Sequence, residues 1–572
     1  MAHTHNLSAS HLLLEGLVEL GVEYLFCNLG TDHAPLVEEL ARWGREGLAA
    51  PKVVVCPHEN TAVHMAGGYA LATGRAQAVL VHVDAGTANA SMGLHNLSRA
   101  RLPVLLIAGR APFTIHGELL GSRDTYVQFI QEPFDQASIV RPYAKWEYTL
   151  PAPVVAKEVL ARACSVAQTD PPGPVYLMLP REVLAATCDA SAVRTARMQP
   201  VAAGGVAQRS VRDVAHRLLE ARSPMIVTGY AGRKPAAAKL LRELAEFAGI
   251  RVCEFNPLHL NIARESVCYA GHDPAHYFDD TDFGMLLDVD VPWIPQTARP
   301  RADTFWVQVD VDAIKRDIPM WSFPSDLRFE ADAGSFLADL LEAVRALATE
   351  GFKAAAAARM EALRKEHGQR LLLAQRKAAE PGTFDAVNPH ALCAALGRAL
   401  TPDAVIVNEA IRNTPAVLEQ IRLSESGRII GLAGGGLGFS AGMALGYKLA
   451  QPHRTVVQIV GDGSYYFCNP SAALAVSRRY GLPIFTVVLD NGGWAAVKEA
   501  TVRMYPDGVA NERDEFASVL PPSTDFAQLA EAAGAYGERL RDPAGTEAAI
   551  GRCLDAVRGG RSAVLHVAIP RF

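Results

Sequence analysis

The sequence predicts an α/β chain built from three doubly wound parallel-sheet domains, and three observations carry that prediction. From Ser10 to about Pro180, apolar runs rich in Val, Ile and Leu alternate with helical patterns, as buried parallel strands alternate with crossover helices. The same order returns in the C-terminal third. Gly68, Tyr69, Leu71 and Ala72, an apolar run and Asp84 are echoed by Gly446, Tyr447, Leu449 and Ala450, an apolar run and Asp462. Ser98, Arg99, Leu102 and Pro103 are likewise echoed by Ser477, Arg478, Leu482 and Pro483, and GPVYLMLPRE at 173–182 by SAVLHVAIPRF at 562–572. Echoes this far apart imply duplicated domains, not a solenoid. Between them, residues 201–351 carry a third α/β pattern.

The N-terminal domain, 1–190, opens with a helix starting near Ser8 or Ser10, either of which can cap it. Strand Tyr24–Asn28 ends at Leu29, Gly30, Thr31, Asp32 and His33. A second strand, 53–56, runs through Pro57 and His58 into Glu59, after which Val63, Ala66 and Ala70 set a helical apolar stripe. Glu59 therefore stands at or near a helix N-terminus, where the dipole favours a carboxylate whether or not it does chemistry. The strand 78–83 contains His82 and ends at Asp84.

The middle domain, 200–350, reads as a helix near 211–219, strand Pro224–Thr228, a helix near 234–248, and strands at 250–254, 285–289 and 304–310. Its order is Rossmann-like, yet Thr228, Gly229, Tyr230, Ala231 and Gly232 match GxGxxG poorly and give weak grounds for a nucleotide site. The segment 291–295, after a strand end, can reach over a neighbouring site. Residues 352–380 are alanine-rich, charged and helical in pattern, a connecting helix within the linker 351–382. Pro381 and Gly382 then open the C-terminal domain, 383–572.

In that domain the β-branched run 456–460 delivers the chain into Gly461, Asp462 and Gly463. Glycines let the backbone turn and approach a ligand, the N–H groups of Gly463 and Ser464 can face phosphate oxygens, and Asp462 can hold a hard divalent cation. Helix Pro470–Tyr480 feeds a strand, 483–489, that ends at Asp490, Asn491, Gly492 and Gly493, so a second oxygen ligand emerges at the same sheet edge. The pair reads as a Mg2+ diphosphate site, while the stretch alone also fits an ordinary βαβ unit with a glycine-rich turn.

Composition narrows the function. The 572 residues are 49% apolar and 20% charged with a net charge of −6, which describes a soluble enzyme-like protein and excludes a basic nucleic-acid binder. Nine scattered cysteines, never spaced CxxC, fit buried small hydrophobes in a reducing compartment and argue against a zinc cluster. No apolar run reaches membrane-spanning length and the N-terminus lacks a basic leader, so the expected location is cytoplasmic, off the membrane, with His3 and His5 in a frayed end.

A GDG followed about thirty residues later by an asparagine at a strand end resembles the metal motif of thiamine diphosphate enzymes, in particular the decarboxylase and acetohydroxyacid synthase superfamily. The resemblance spans essentially the whole chain. It implies Mg2+ held by Asp462, the Asn491 side chain and the Gly493 carbonyl, with Gly461, Gly463 and Ser464 beside the diphosphate. Asp490 stands where the family usually has a first asparagine. HENTAVHMAGGYALATGR is similar to the family's glutamate segment, which implies that Glu59 activates the cofactor's pyrimidine. Leu437 in GGGLGFSAG takes the place of the wedge that bends the cofactor, Gln131 that of a glutamine near the thiazolium, and Arg412 can pair with phosphate. VHVDAGTAN at 81–89 resembles the active-site histidine segment of the benzoylformate decarboxylases and implies His82 as a proton donor or acceptor. Thr31 replaces their serine and is followed by Asp32; a counterpart of their second histidine is missing. His116 and Trp494 are candidates balanced against packing or surface roles, and Asp84, Asp135 and Asp290 read as structural. The family architecture implies sites shared between subunits, hence a homodimer at minimum and a homotetramer as the expected assembly.

The expected function is therefore thiamine diphosphate- and Mg2+-dependent C–C cleavage of a 2-oxo acid or 2-hydroxy carbonyl through an enamine. The alternative is a carboligase of acetolactate synthase type that joins the enamine to a second small carbonyl compound. A non-catalytic nucleotide-binding protein is the third class, and Glu59 with Asp462 and Asn491 argues against it.

Overall fold

The computed structural model describes residues 6–195, 197–424, 427–520 and 524–571, so His3 and His5 lie outside the described residues. The chain forms three parallel sheets. The first contains β1 (Tyr24–Asn28), β2 (Lys52–Val55), β3 (Gln77–Val81), β4 (Val104–Arg110), β5 (Glu147–Thr149) and β6 (Val175–Pro180) in the order β2-β1-β3-β4-β6-β5. The second contains β7 (Pro224–Thr228), β8 (Arg251–Glu254), β9 (Phe283–Leu287), β10 (Phe305–Asp310) and β11 (Leu327–Glu330) in the order β8-β7-β9-β10-β11. The third contains β12 (Val405–Glu409), β13 (Arg428–Ile430), β14 (Val456–Gly461), β15 (Phe485–Asp490), β16 (Tyr536–Leu540) and β17 (Ala563–Ala568) in the order β13-β12-β14-β15-β17-β16. First and third sheets thus share one strand order, the structural counterpart of the sequence echo. Their central strands are mostly apolar and buried on both faces, as parallel strands covered by helices must be. Each fully buried Leu or Ile, such as Leu106 or Ile459, contributes about 1.5–3 kcal/mol.

The two like domains meet through helix α1 (Glu59–Thr73) and its counterpart α5 (Ser440–Ala450). A Cβ on Gly68 would lie 2.2 Å from the Met443 carbonyl oxygen, and one on Gly446 would lie 2.0 Å from that of Met65. Glycine is required at both positions because each helix rests on the other's backbone. Helix α2 (Val83–Arg99) follows β3, which ends two residues earlier than the expected strand 78–83. His82 caps α2 instead of ending a strand, and the Val83 N–H turns to Asp32 Oδ2 at 3.5 Å.

Helix α3 (Glu350–Ala379) connects the second and third sheets. Its 30 residues, about 45 Å at 1.5 Å each, bury only Phe352, Ala356, Leu363 and His367. Helix α4 (Thr414–Gln420) follows β12 and packs beside it. In the middle domain, the crevice beyond β7 and β9, where a Rossmann fold holds nucleotides, is filled by the chain's own charges. Arg101 pairs with Asp310 at 3.0 Å and Asp290 at 2.8 Å and lies over the Tyr230 ring, and Lys315 donates to Asp290 and Tyr230. The segment 291–295 is anchored by buried Trp293, which packs on Phe278, Trp306 and Phe323 in the middle domain. Eight cysteines are buried and Cys188 is half-buried; all nine are free thiols. Among the described residues no helix is long and apolar enough to cross a membrane.

Candidate functional site

Two groups of polar residues gather at strand ends. In the N-terminal domain, Glu59 is the first residue of α1, buried at 6% exposure, and its Oε2 accepts from Asn89 Nδ2 at 3.1 Å. Asn89 and Gly86, whose ideal Cβ would lie 3.4 Å from Glu59 Oε1, both belong to α2. Glu59 therefore faces the first turns of the helix that His82 caps. His82 Nδ1 makes a short hydrogen bond with Asp32 Oδ1, and Nε2 lies 3.1 Å from Gln131 Oε1. Glycines admit this pair: a Cβ on Gly30 would strike the His82 ring, and one on Gly109 the Asp32 carboxylate.

Charge follows from that contact. Burial would raise the Asp32 carboxyl, but the His82 hydrogen bond and the charges of His33 and His82 outweigh it and hold the group below its ordinary value. The same hydrogen bond, donated to Asp32, raises His82 above the ordinary imidazole value. His33, 3.4 Å from Asp32 on the other side, is lowered by its own burial. Thr31 is exposed on the 3-10 turn that presents Asp32, and its hydroxyl makes no hydrogen bond among the described residues. His116 lies exposed in a surface loop.

In the C-terminal domain, Gly461 closes β14 and caps the short helix α6 (Asp462–Phe467). The Asp462 carboxylate is 4% exposed and pairs with no basic side chain among the described residues; burial and the neighbouring Asp490 push it up to about 7. Asn491 Oδ1 accepts from the Gly493 N–H at 3.2 Å, and Gly492 and Gly493 both take positive φ, 86° and 156°. Asp490 lies beside Asp462 and bonds His566 Nε2 at 2.8 Å on β17, and that bond outweighs burial to hold its carboxyl low. The departure from the two-asparagine pattern is thus a carboxylate with its own basic partner. Trp494 packs on Gly463, where a Cβ would come within 2.4 Å of the indole nitrogen. Arg412 is half-exposed and pairs with Glu499 at 2.8 Å.

Leu437 sits in a loop clamped on both sides. Asn96 bonds the Gly436 carbonyl at 2.9 Å, His95 accepts from the Gly435 N–H at 3.1 Å, and Asn60 Nδ2 donates to the Gly438 carbonyl at 3.0 Å. From below, buried Glu409 at the end of β12 accepts from the Gly438 N–H and from the N–H and hydroxyl of Ser440, and burial pushes its carboxyl up to about 7. Gln458 and Thr486 extend that network into the sheet, at 2.8 and 2.9 Å. Gly438 has φ 89°, and a Cβ there would strike the Phe467 carbonyl. Sequence reasoning missed Asn60, Asn96 and the role of Glu409. The available signal was the position of Asn60, one residue after Glu59 and 378 before Gly438, the same offset as the echo.

The family description of the thiamine pyrophosphate enzyme N-terminal TPP binding domain matches residues 7–139, and that of the C-terminal TPP binding domain matches 413–567. The chain belongs to the thiamine pyrophosphate enzymes. Glu59, His82, Asp32 and Gln131 fall in the first matched segment, and Leu437, Asp462 and Asn491 in the second. Benzoylformate decarboxylase of Pseudomonas aeruginosa is 27% identical over 571 residues, covering 96% of each chain. Acetolactate synthase large subunit of Lactococcus lactis is 24% identical, covering 94% of this chain and 88% of the relative. The solved thiamine diphosphate-dependent 4-hydroxybenzoylformate decarboxylase of Rhodococcus jostii matches in fold with a TM-score of 0.79 at 21% identity, covering 99% of this chain and 100% of that one. The residues of this thiamine pyrophosphate enzyme suit its cofactor. Asp462 is a buried carboxylate without a cation, and a Cβ on Gly461 or Gly492 would meet no atom within 4 Å, leaving open space beside it.

Proposed function

We propose that the chain is a thiamine diphosphate- and Mg2+-dependent decarboxylase of 2-oxo acids, with the carboligase reaction of acetolactate synthases as the second reading. The observation that carries the first reading is buried Asp32 bound to His82, which raises the imidazole above its ordinary value and leaves Nε2 turned toward Gln131. Such a group can give a proton from Nε2 to the carbon that has lost CO2 and recover it from solvent, since the His82 side chain is 25% exposed. Bound thiamine diphosphate supplies the electron sink that lets the bond beside the carbonyl break. Asp462, Asn491 Oδ1 and the Gly493 carbonyl would hold Mg2+, an all-oxygen donor set suited to that ion. Gly461, Gly463 and Ser464 would line the diphosphate, Leu437 would support the cofactor from its clamped loop, and Glu59 would hold or release a proton at its carboxylate. Arg412 would reach phosphate on leaving Glu499, and the Thr31 hydroxyl would be a further donor toward substrate.

The benzoylformate decarboxylase relatives support a 2-oxo acid substrate, and the acetolactate synthase relatives support the second reading. Exposed Phe113, Leu120, Tyr126, Ile130 and Phe134 support burial of the segment 113–134 in a homodimer, itself the unit of a homotetramer. Nine free thiols support a cytoplasmic location. In this reading, 1–190 is the pyrimidine domain, 200–350 the middle domain, 351–382 the linker and 383–572 the diphosphate domain. Aldehyde and acyloin measured together, on a panel of 2-oxo acids with an acceptor aldehyde present, test it. The decarboxylase reading expects mainly aldehyde from the wild type and a shift toward acyloin in His82→Ala. Mainly ligated product from the wild type, with a ratio unchanged in His82→Ala, would establish the carboligase instead.

A further inference from the structure

A separate cavity lies on the outer edge of the middle sheet beyond β8. It measures about 450 Å³, within the range of small-molecule sites, and is enclosed by the middle domain, the last turns of α3, and α4 of the C-terminal domain. Its apolar wall is Pro257, Leu371, Leu373, Ala374, Pro415 and Leu418. Its charge is unbalanced. Lys377 is neutralised by Glu419 at 2.9 Å, and Arg264 by Glu254 at 2.7 Å behind the wall. Arg370 and Arg422 have no carboxylate partner among the described residues. Arg370 donates to the Tyr269 carbonyl and, at 3.3 Å, to the Tyr277 hydroxyl, while Arg422 donates to the Arg264 carbonyl at 3.1 Å. Both guanidinium groups thus lack a direct carboxylate partner where three elements meet, and the other acid of the lining, Asp273, accepts from the Ala275 N–H and lies 3.6 Å from His276. A third polar group completes the wall: His367, 8% exposed, has an Nδ1 with no hydrogen-bond partner among the described residues.

We propose that this cavity binds a small organic anion, a carboxylate or phosphate monoester on an apolar body. The guanidinium forks match the oxygens of either anion, and charge-assisted hydrogen bonds to them are the strong kind. The apolar wall takes the rest of the ligand, and bare inorganic ions would leave it unfilled. This site is distinct from the crevice beyond β7 and β9, which Arg101, Lys315, Asp290 and Asp310 fill. It is also independent of the catalytic reading, because none of its residues belongs to the groups around Glu59 or Asp462. A ligand here would bridge α3 and α4, and α4 follows β12 after a single 3-10 turn, Ile411–Asn413; the last residue of β12, Glu409, holds the Leu437 loop.

The test is calorimetric titration of the loaded enzyme with benzoate, phenyl phosphate and inorganic phosphate, on wild type, Ala374→Trp, Arg422→Ala and His82→Ala. Ala374→Trp fills the cavity from the surface of α3, and Arg422→Ala removes an exposed side chain with a single bond, so both should fold. Saturable binding of benzoate or phenyl phosphate at one site per chain is expected, weakened at least tenfold in Ala374→Trp and Arg422→Ala and unchanged in His82→Ala. Tighter benzoate supports a carboxylate ligand, and tighter phenyl phosphate supports a phosphate ester. Wild-type affinity for both in Ala374→Trp and Arg422→Ala, or loss of binding in His82→Ala alone, would overturn the proposal. Inorganic phosphate binding as tightly as either aromatic probe would overturn the role of the apolar wall.

Discussion

Asp32 makes His82 a stronger base than a free imidazole, and its removal has a signed consequence. The Asp32 carboxyl is held below its ordinary value, so its contribution to stability is present above about pH 3.9 and lost as pH falls through the lowered value. His82 is raised, so its contribution is complete below about pH 6.5 and lost as pH rises through the raised value. If charged His82 is the donor, the alkaline limb of kcat for aldehyde release lies above pH 6.5. In Asp32→Asn it should move to lower pH while the acid limb stays, and a pH–rate profile with an unmoved alkaline limb would remove the pair from the proton path. Glu59→Gln should keep cofactor affinity within roughly tenfold yet slow exchange of the cofactor's C2 hydrogen by about two orders of magnitude, the scale of acid–base assistance. Deuterium exchange followed by NMR checks it, and exchange at the normal rate would leave Glu59 with no role beyond the first turn of α1. Asp462→Ala should abolish Mg2+-dependent cofactor binding, which calorimetry reads directly. Asp490→Asn should weaken it far less, because Asp490 is committed to His566.

At the scale of elements, α1 and α5 should be the least tolerant surfaces in the chain. Gly68→Ala and Gly446→Ala each push a methyl into a carbonyl of the other helix, and overpacking of this kind costs about 1–3 kcal/mol or more. Denaturant titration should show both losses, with Gly74→Ala, whose Cβ would meet no atom within 4 Å, as a control for backbone strain at positive φ without a clash. These helices were legible in advance because their glycines recur at one offset, and strands such as β3, β14 and β15 were legible to within two residues because parallel strands buried on both faces leave mostly apolar runs. The short edge strands β11 and β13 were not. Leu327–Glu330 alternates half-buried with exposed residues, and Arg428–Ile430 spans three positions, too few for a period to emerge. At the site, Glu59, Asp462 and Asn491 were legible as motifs. The Asp32–His82 bond joins positions 50 apart, and the Glu409–Gly438 bond positions 29 apart, so only folding reveals them.

For the whole molecule, the exposed aromatic and aliphatic side chains of 113–134 set the expectation of assembly. Glu182 holds this segment from below through the N–H groups of Phe113 and Thr114, so its apolar side chains are presented on a fixed base. Phe134→Glu should raise the dimer dissociation constant at least tenfold by sedimentation, with activity falling at low protein concentration in parallel. An unchanged sedimentation profile would place the subunit contact elsewhere. The helix pair α1 and α5 bears on the same question from inside the chain. Position 443 is the counterpart of 65, and 446 of 68, at the offset of 378. Gly68 meeting Met443 and Met65 meeting Gly446 are therefore one contact written twice, residue i on j and j on i, the signature of an isologous interface. The polypeptide folds as a dimer of its own halves, its local dyad running between two domains joined by peptide bonds. That face is consumed in cis within one chain, and the symmetry of any oligomer would have to be built from surface that the internal dyad leaves free.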